Sequence, residues 1–131
     1  MREAYLPLLF PTSHAANLVR LQNGDTLCFW FSGVREGVSN VAIVESRLPK
    51  GSKQWGQTVE IDHQAGRSFQ NPVPFQAPNG RLWLLHTSQP AGQGQANAEV
   101  VYLTSDDDGK TWKGPVPLFS KPGAFVRQPL L

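Results

Sequence analysis

The sequence predicts an all-β chain in which one four-stranded antiparallel unit occurs twice, and three observations predict it. First, landmarks repeat at a nearly constant spacing. Asn23-Gly24 and Asn79-Gly80 lie 56 positions apart, Trp55 and Trp112 lie 57 apart, and Gly66 with Gln70-Asn71-Pro72-Val73 is matched 57 positions later by Gly123 with Arg127-Gln128-Pro129-Leu130. Fixed-period self-similarity of this length marks a stacked or radial repeat. Second, apolar and β-branched runs are short and bounded by turn residues, and no window carries a sustained i, i+3, i+4, i+7 stripe. Third, Ser105-Asp106-Asp107-Asp108-Gly109-Lys110-Thr111-Trp112 fits the hairpin pattern Ser-x-Asp-x-Gly-x-Thr-Trp. There Asp107 can fold its carboxylate onto turn N–H groups, Gly109 can take φ > 0, Thr111 adds a hydroxyl, and Trp112 plugs the gap between sheets.

The strands follow in order. Residues 15–21 form the first, because an Asn-Gly pair right after it is a strong hairpin signal. Residues 26–31 form its partner. Residues 40–47 are the third, with Val41, Ile43 and Val44 matching Val100, Tyr102 and Leu103 of the second unit. Residues 55–61 are the fourth, entered through a degenerate turn that keeps only Ser46, Gly51 and Trp55 of the hairpin pattern. The second unit repeats this at 71–75, 82–87, 99–104 and 113–119. Prolines 7, 11, 49, 72, 90 and 122 punctuate these runs instead of interrupting a helix.

Composition sets limits. A chain of 131 residues corresponds to about one domain. Its 40% hydrophobic content, with four Trp and seven Phe, is enough for a packed core. The net charge is only +2, and no Lys/Arg run interleaves with aromatics, so nucleic acid is not an expected partner. The single cysteine, Cys28, sits in an apolar strand and reads as a small buried hydrophobe. No apolar stretch approaches the roughly 20 residues of a membrane span. Residues 5–10 are apolar but broken by Pro7 and carry no cleavage pattern, so they are not read as a signal peptide.

Radial repeats of four-stranded sheets make a β-propeller, which closes with roughly 4–8 blades. The chain is therefore expected to be a partial propeller, the N-terminal part of one domain over residues 1–131. Blade 1 occupies about 12–62, blade 2 about 68–120, and the first strand of a third blade begins at about 124–131. In such a meander, the turns after the first and third strands share one rim, while the second-to-third loops and the links between blades share the other. Asn-Gly hairpins fall on the first rim. The second rim receives residues 32–39, 62–69, 88–98 and 120–124, longer and more polar segments of the kind that carry function. Innermost strands begin at that rim, which places His14, Gln70, Asn71, Arg127 and Gln128 around the mouth of the central channel.

The octapeptide, the segments Ser13-His14-Ala15-Ala16 and Leu21-Gln22-Asn23-Gly24-Asp25, the run from Trp30 to Gly37, and Asn71-Pro72-Val73 together resemble the sialidase or neuraminidase superfamily of Asp-box propellers. The resemblance extends over nearly the whole chain and implies a six-bladed propeller when complete. It implies a glycan or sugar-acid substrate and no cofactor. In sialidases three arginines clamp the substrate carboxylate, a Tyr paired with a Glu is the nucleophile, and an Asp is the acid. This chain departs from that pattern: Tyr5-Leu6-Pro7 stands near the place of the opening Arg-Ile-Pro without an arginine, and neither Tyr5 nor Tyr102 sits where the late nucleophile belongs.

On chemical grounds Arg35 and Arg127 are candidates to hold a carboxylate, since a planar guanidinium bonds it bidentately. Glu36 is the carboxylate placed to act as a general acid, or else half of a solvated Arg-Glu pair. His14 can act as a base beside a uronate, or sit buried against backbone. Asn71 and Gln70 suit sugar hydroxyls, or channel packing. Asp62 and His63 form either an acid and base or a polar link between blades. Asp106 to Asp108 lack the downstream Glu and the ligand periodicity of a calcium loop. Three functions stay open: a sialidase-type exo-glycosidase, a polysaccharide lyase, and a non-catalytic glycan- or protein-binding propeller.

Overall fold

The computed structural model describes residues 3–119 and 121–127, and these form two antiparallel four-stranded sheets. The first is β1 (Thr12–Arg20), β2 (Thr26–Gly33), β3 (Ala42–Leu48) and β4 (Val59–Asp62); the second is β5 (Arg67–Gln76), β6 (Leu82–Pro90), β7 (Glu99–Ser105) and β8 (Lys113–Phe119). Both sheets are simple meanders with strands in chain order. A 3₁₀ turn at Gly94–Asn97 is the sole helical element among the described residues. No helix there is long and apolar enough to cross a membrane.

The alternation of each strand explains how the sheets stack. In β2, Leu27, Phe29 and Phe31 face the second sheet, where they meet Phe69, Leu82, Leu84 and Leu103 in one buried cluster. Cys28 and Trp30 point the other way, onto Ala42 and Val44, with Leu6, Phe10 and Trp55 packed over them. Burial pushes the Cys28 thiol up to about 11. In the second sheet, Trp83 and Leu85 face away from the seam and join Val73, Phe75, Val100 and Tyr102. β8 is exposed along its whole length, as an outermost strand should be.

Observed strands differ from expectation at three places. β5 starts at Arg67 and β6 runs on to Pro90, several residues beyond the alternating pattern, because a bulge between Gln70 and Val73 resets the register. β1 starts at Thr12 and has the equivalent bulge between His14 and Asn17. β4 is shorter than expected: Gly56 N–H bonds Arg47 O at 2.7 Å and Ser46 Oγ donates to Gly56 O at 2.7 Å, so Trp55 and Gly56 belong to the turn. The expected third innermost strand is described only to Arg127, without ladder pairing; residues 120 and 128–131, including Gln128, lie outside the described residues.

The first rim, the lower one with the second rim above it, shows why the hairpin pattern has the residues it has. Ser105 Oγ donates to Asp107 Oδ1 at 2.8 Å and accepts from Gly109 N–H at 2.9 Å. Thr111 N–H donates to Asp107 Oδ1 at 2.8 Å, and the Thr111 hydroxyl donates to Oδ2. These donors, Thr111 first, hold the Asp107 carboxyl far below its ordinary range. Gly109 has φ 81°, and a Cβ there would lie 2.9 Å from Leu27 Cδ1, so this turn presses directly on the neighbouring sheet. Trp112 meets Phe29 edge-on at 5.7 Å between centroids.

Polar groups close the same edge of the seam. Arg47 donates to Asp25 Oδ2 at 3.0 Å and to the Asp108 carbonyl. Asp106 pairs instead with Arg81 at 2.7 Å, and Asp108 accepts from Gln76 at 3.3 Å. The three consecutive carboxylates thus serve three separate structural partners. Glu45 is buried on β3 with Arg47 3.9 Å away; Glu45 Oε2 and Trp112 Nε1 both lack a hydrogen-bond partner. Desolvation pushes the Glu45 carboxyl up to about 7, offset only in part by Arg47 and the nearby indole.

Candidate functional site

The upper rim is built differently. Both innermost strands break their pleat on entry, and the residue at each break lies in the left-handed region: Ala15 at φ 52° and Asn71 at φ 53°. These are equivalent positions of the repeat, 56 apart in sequence. Asparagine tolerates that conformation, whereas alanine pays a steric cost. The outcome is an open cavity of about 390 Å³ whose wall includes His14, Asn17, Phe31, Glu36, Asn71 and Arg127.

Of the residues expected at this rim, the fold brings four together: His14, Glu36, Asn71 and Arg127. His14 is exposed and stacks on Phe31 at 5.4 Å with a 20° interplanar angle, so it is not buried against backbone. Glu36 and Arg35 are exposed in the loop after β2, and Arg35 does not line this cavity. Arg127 is exposed, carried on a segment tied to blade 2 where Val126 N–H donates to Thr87 Oγ1 at 3.2 Å. Gln70 is 3% exposed and donates to Ser68 Oγ at 3.3 Å, away from the cavity wall. Gln128 lies outside the described residues.

Asp62 and His63 go to different partners. Asp62 Oδ2 lies 2.7 Å from Nε2 of His86, a fully buried imidazole whose Nδ1 faces the Thr87 carbonyl at 3.1 Å. Asp62 therefore links β4 of one sheet to β6 of the next. His63 contacts Asn40 at 3.1 Å and Glu60 at 4.0 Å. Among the described residues no group of three or more His, Cys, Asp or Glu is placed to hold a metal ion.

Sequence reasoning missed Asn17, Phe31 and His86. Asn17 lies just past a bulge that alternation does not reveal and that changes the face the first half of β1 presents, whereas Phe31 continues the regular Leu27-Phe29-Phe31 stripe of β2 and reads as core alone. His86 carried no signal beyond its place in an apolar run.

Two radial sheets that share a seam, with structural hairpins on one rim and a polar cavity on the other, define a pair of β-propeller blades. The chain belongs to the BNR repeat-like domain family, whose profile matches residues 24–130. No curated protein matches it. Among solved structures it is similar to the Hadza microbial sialidase Hz136 (TM-score 0.70, 14% identity), covering 81% of this chain and 26% of that one. It is also similar to a protein of unknown function from Dyadobacter fermentans DSM 18053 (TM-score 0.63, 18% identity), with 79% and 35% covered. A third similar structure is an endo-arabinase from Bacteroides thetaiotaomicron VPI-5482 (TM-score 0.59, 16% identity), with 82% and 43% covered. The chain thus spans about a quarter to less than half the length of these neighbours, and at such identities the likeness is one of fold.

Proposed function

We propose that these blades form part of the substrate rim of a sialidase-type exo-glycosidase that acts on a terminal acidic sugar of a glycan. The observation that carries the reading is the shared cavity of His14, Glu36, Asn71 and Arg127, which puts a guanidinium, a carboxylate and a hydroxyl-binding amide around one space. Arg127 pairs with the sugar carboxylate and Asn71 with its hydroxyls. Glu36 is the general acid, with Arg35 beside it on the same loop and Gln70 supporting the strand behind. Glycoside cleavage needs two groups flanking the bond. Among the described residues this wall offers one carboxylate and no tyrosine, so the second group comes from elsewhere in the ring, and the 131-residue chain binds without turnover.

A lyase reading is favoured by one specific observation: exposed His14 and Arg127 line the same space, as an imidazole base and a carboxylate-neutralising cation must. Titration of the chain with N-acetylneuraminic acid, followed by NMR, tests the first reading. Saturable shifts at the cavity that weaken at least tenfold in Arg127→Ala are expected. An unchanged Arg127→Ala titration refutes it, and preferential binding of an oligouronate transfers the site to the lyase reading.

A further inference from the structure

The two bulges are joined by one hydrogen bond. A bulge removes a residue from the ladder and leaves its backbone groups to find other partners. In β5 the bulged segment is Asn71-Pro72; proline has no N–H to satisfy, but its carbonyl does need a partner, and Pro72 is almost fully buried. That partner comes from the other blade. Asn17 Nδ2 donates to Pro72 O at 2.8 Å, across a separation of 55 residues. Asn17 is also the residue at which β1 resumes its pairing after its own bulge at Ala15. His14 precedes one bulge and Asn71 forms the other, and both, with Asn17 itself, line the cavity.

We propose that Asn17 is a positioning residue: by hooking the bulge of β1 to the bulge of β5, it sets where His14 and Asn71 stand relative to each other across the cavity. The assignment rests on the reading of this cavity as a sugar site. Asn17 does the work of a fixed spacer because both ends are over-determined. On one side, Ala15 and Asn71 hold left-handed conformations that the surrounding structure must enforce. On the other, an unpaired buried carbonyl at Pro72 is costly enough that the amide stays engaged. The Val41–Ser68 bridge and the Phe69 N–H bond to Val41 O at 3.1 Å tie the residue before β3 to β5, so among the described residues Asn17 makes the side-chain hydrogen bond that joins β1 itself to β5.

The experiment compares Asn17→Leu, Asn17→Asp, Asn17→Ser and Val19→Ala in the whole chain. Leucine keeps the bulk and removes the donor, aspartate keeps the shape and turns an acceptor toward Pro72 O, and serine retains a shorter donor. Val19, half-buried on the same strand against the seam core, is the control for general loosening of β1. Two quantities are read: the NMR signals of the His14 ring, shifted by its stack on Phe31, and of the Asn71 side-chain amide, and the Kd for N-acetylneuraminic acid. Asn17→Leu and Asn17→Asp are expected to move both sets of signals and weaken binding about tenfold, Asn17→Ser to fall between them and wild type, and Val19→Ala to leave the signals in place. Unmoved signals in Asn17→Leu, or equal movement in Val19→Ala, overturn the assignment. Should wild type not bind the sugar acid, the functional reading fails alone, since the signals still judge the hook. Should Asn17→Leu not fold, the aspartate and serine variants decide between the outcomes.

Discussion

The two rims of this blade pair are made from the same eight strands and obey opposite rules. On the lower rim the serine, threonine and aspartate side chains of the Asp-box are engaged: Ser105, Asp107 and Thr111 bond one another and the turn backbone, Gln76 reaches Asp108, and Arg81 holds Asp106, while Arg47 spans to Asp25 and the Asp108 carbonyl. On the upper rim Glu36 and Arg127 have no ion-pair partner among the described residues, and the strands enter through strained bulges. The difference teaches that the groups facing the cavity are kept apart from those that hold the blades, even on the upper rim, where Asp62 with His86 and Arg67 with Ser88 are engaged in the fold. A charge already satisfied within the fold has little left to offer a ligand, and an unsatisfied one contributes little to folding.

Four substitutions break or sharpen that contrast. The largest effect is expected at the seam itself, where Phe29 is fully buried and meets Trp112: Phe29→Ala should cost about 3–5 kcal/mol in denaturant unfolding. A loss below 1 kcal/mol would mean that the blades do not share a core. Next is Glu45. Its folded-state value of about 7 lies above its ordinary 4.5, so the folded chain holds this proton more tightly than the unfolded one. The contribution of Glu45 to stability should therefore be full below about pH 4.5, decline as pH rises toward 7, and be lost above it, whereas the lowered carboxyls of Asp25, Asp106 and Asp107 act in the opposite sense at lower pH. Glu45→Gln should flatten that slope and raise stability at pH 8 by roughly 2–3 kcal/mol, the size implied by such a shift; melts at pH 5 and pH 8 check it.

Smaller still is Gly109→Ala, which forces a side chain into a left-handed turn and toward Leu27, at a cost of about 1–3 kcal/mol. The smallest belongs to the upper rim. Arg127→Ala should change unfolding free energy by less than about 0.5 kcal/mol while abolishing sugar-acid binding. A large stability loss there would erase the distinction between the rims.

Much of this architecture was legible in the sequence because turn chemistry is local. The Asp-box, the Asn-Gly hairpins and the repeat between Trp55 and Trp112 located both sheets, and the same repeat placed His14, Asn71 and Arg127 at one rim. What escaped was set by tertiary geometry. Alternation cannot announce a bulge, so the extra length of β5 and β6 and the cavity role of Asn17 were hidden, while Phe31 was hidden by its place in the core stripe of β2. The exclusion of Arg35 and Gln70 from the cavity wall depends on loop direction and on burial against Ser68, neither of which leaves a trace in spacing. Asp62 was visible as a polar residue between the blades, but its partner, His86, lies 24 residues away in an apolar run.

The solitary sulfhydryl offers an unplanned probe. Cys28 sits on the covered face of β2, beneath Trp30, Trp55 and the N-terminal segment, and its depressed acidity leaves almost no thiolate at neutral pH. An alkylating reagent can reach it only when the first sheet opens, so the rate of modification becomes a clock for that opening, readable in intact protein by mass alone.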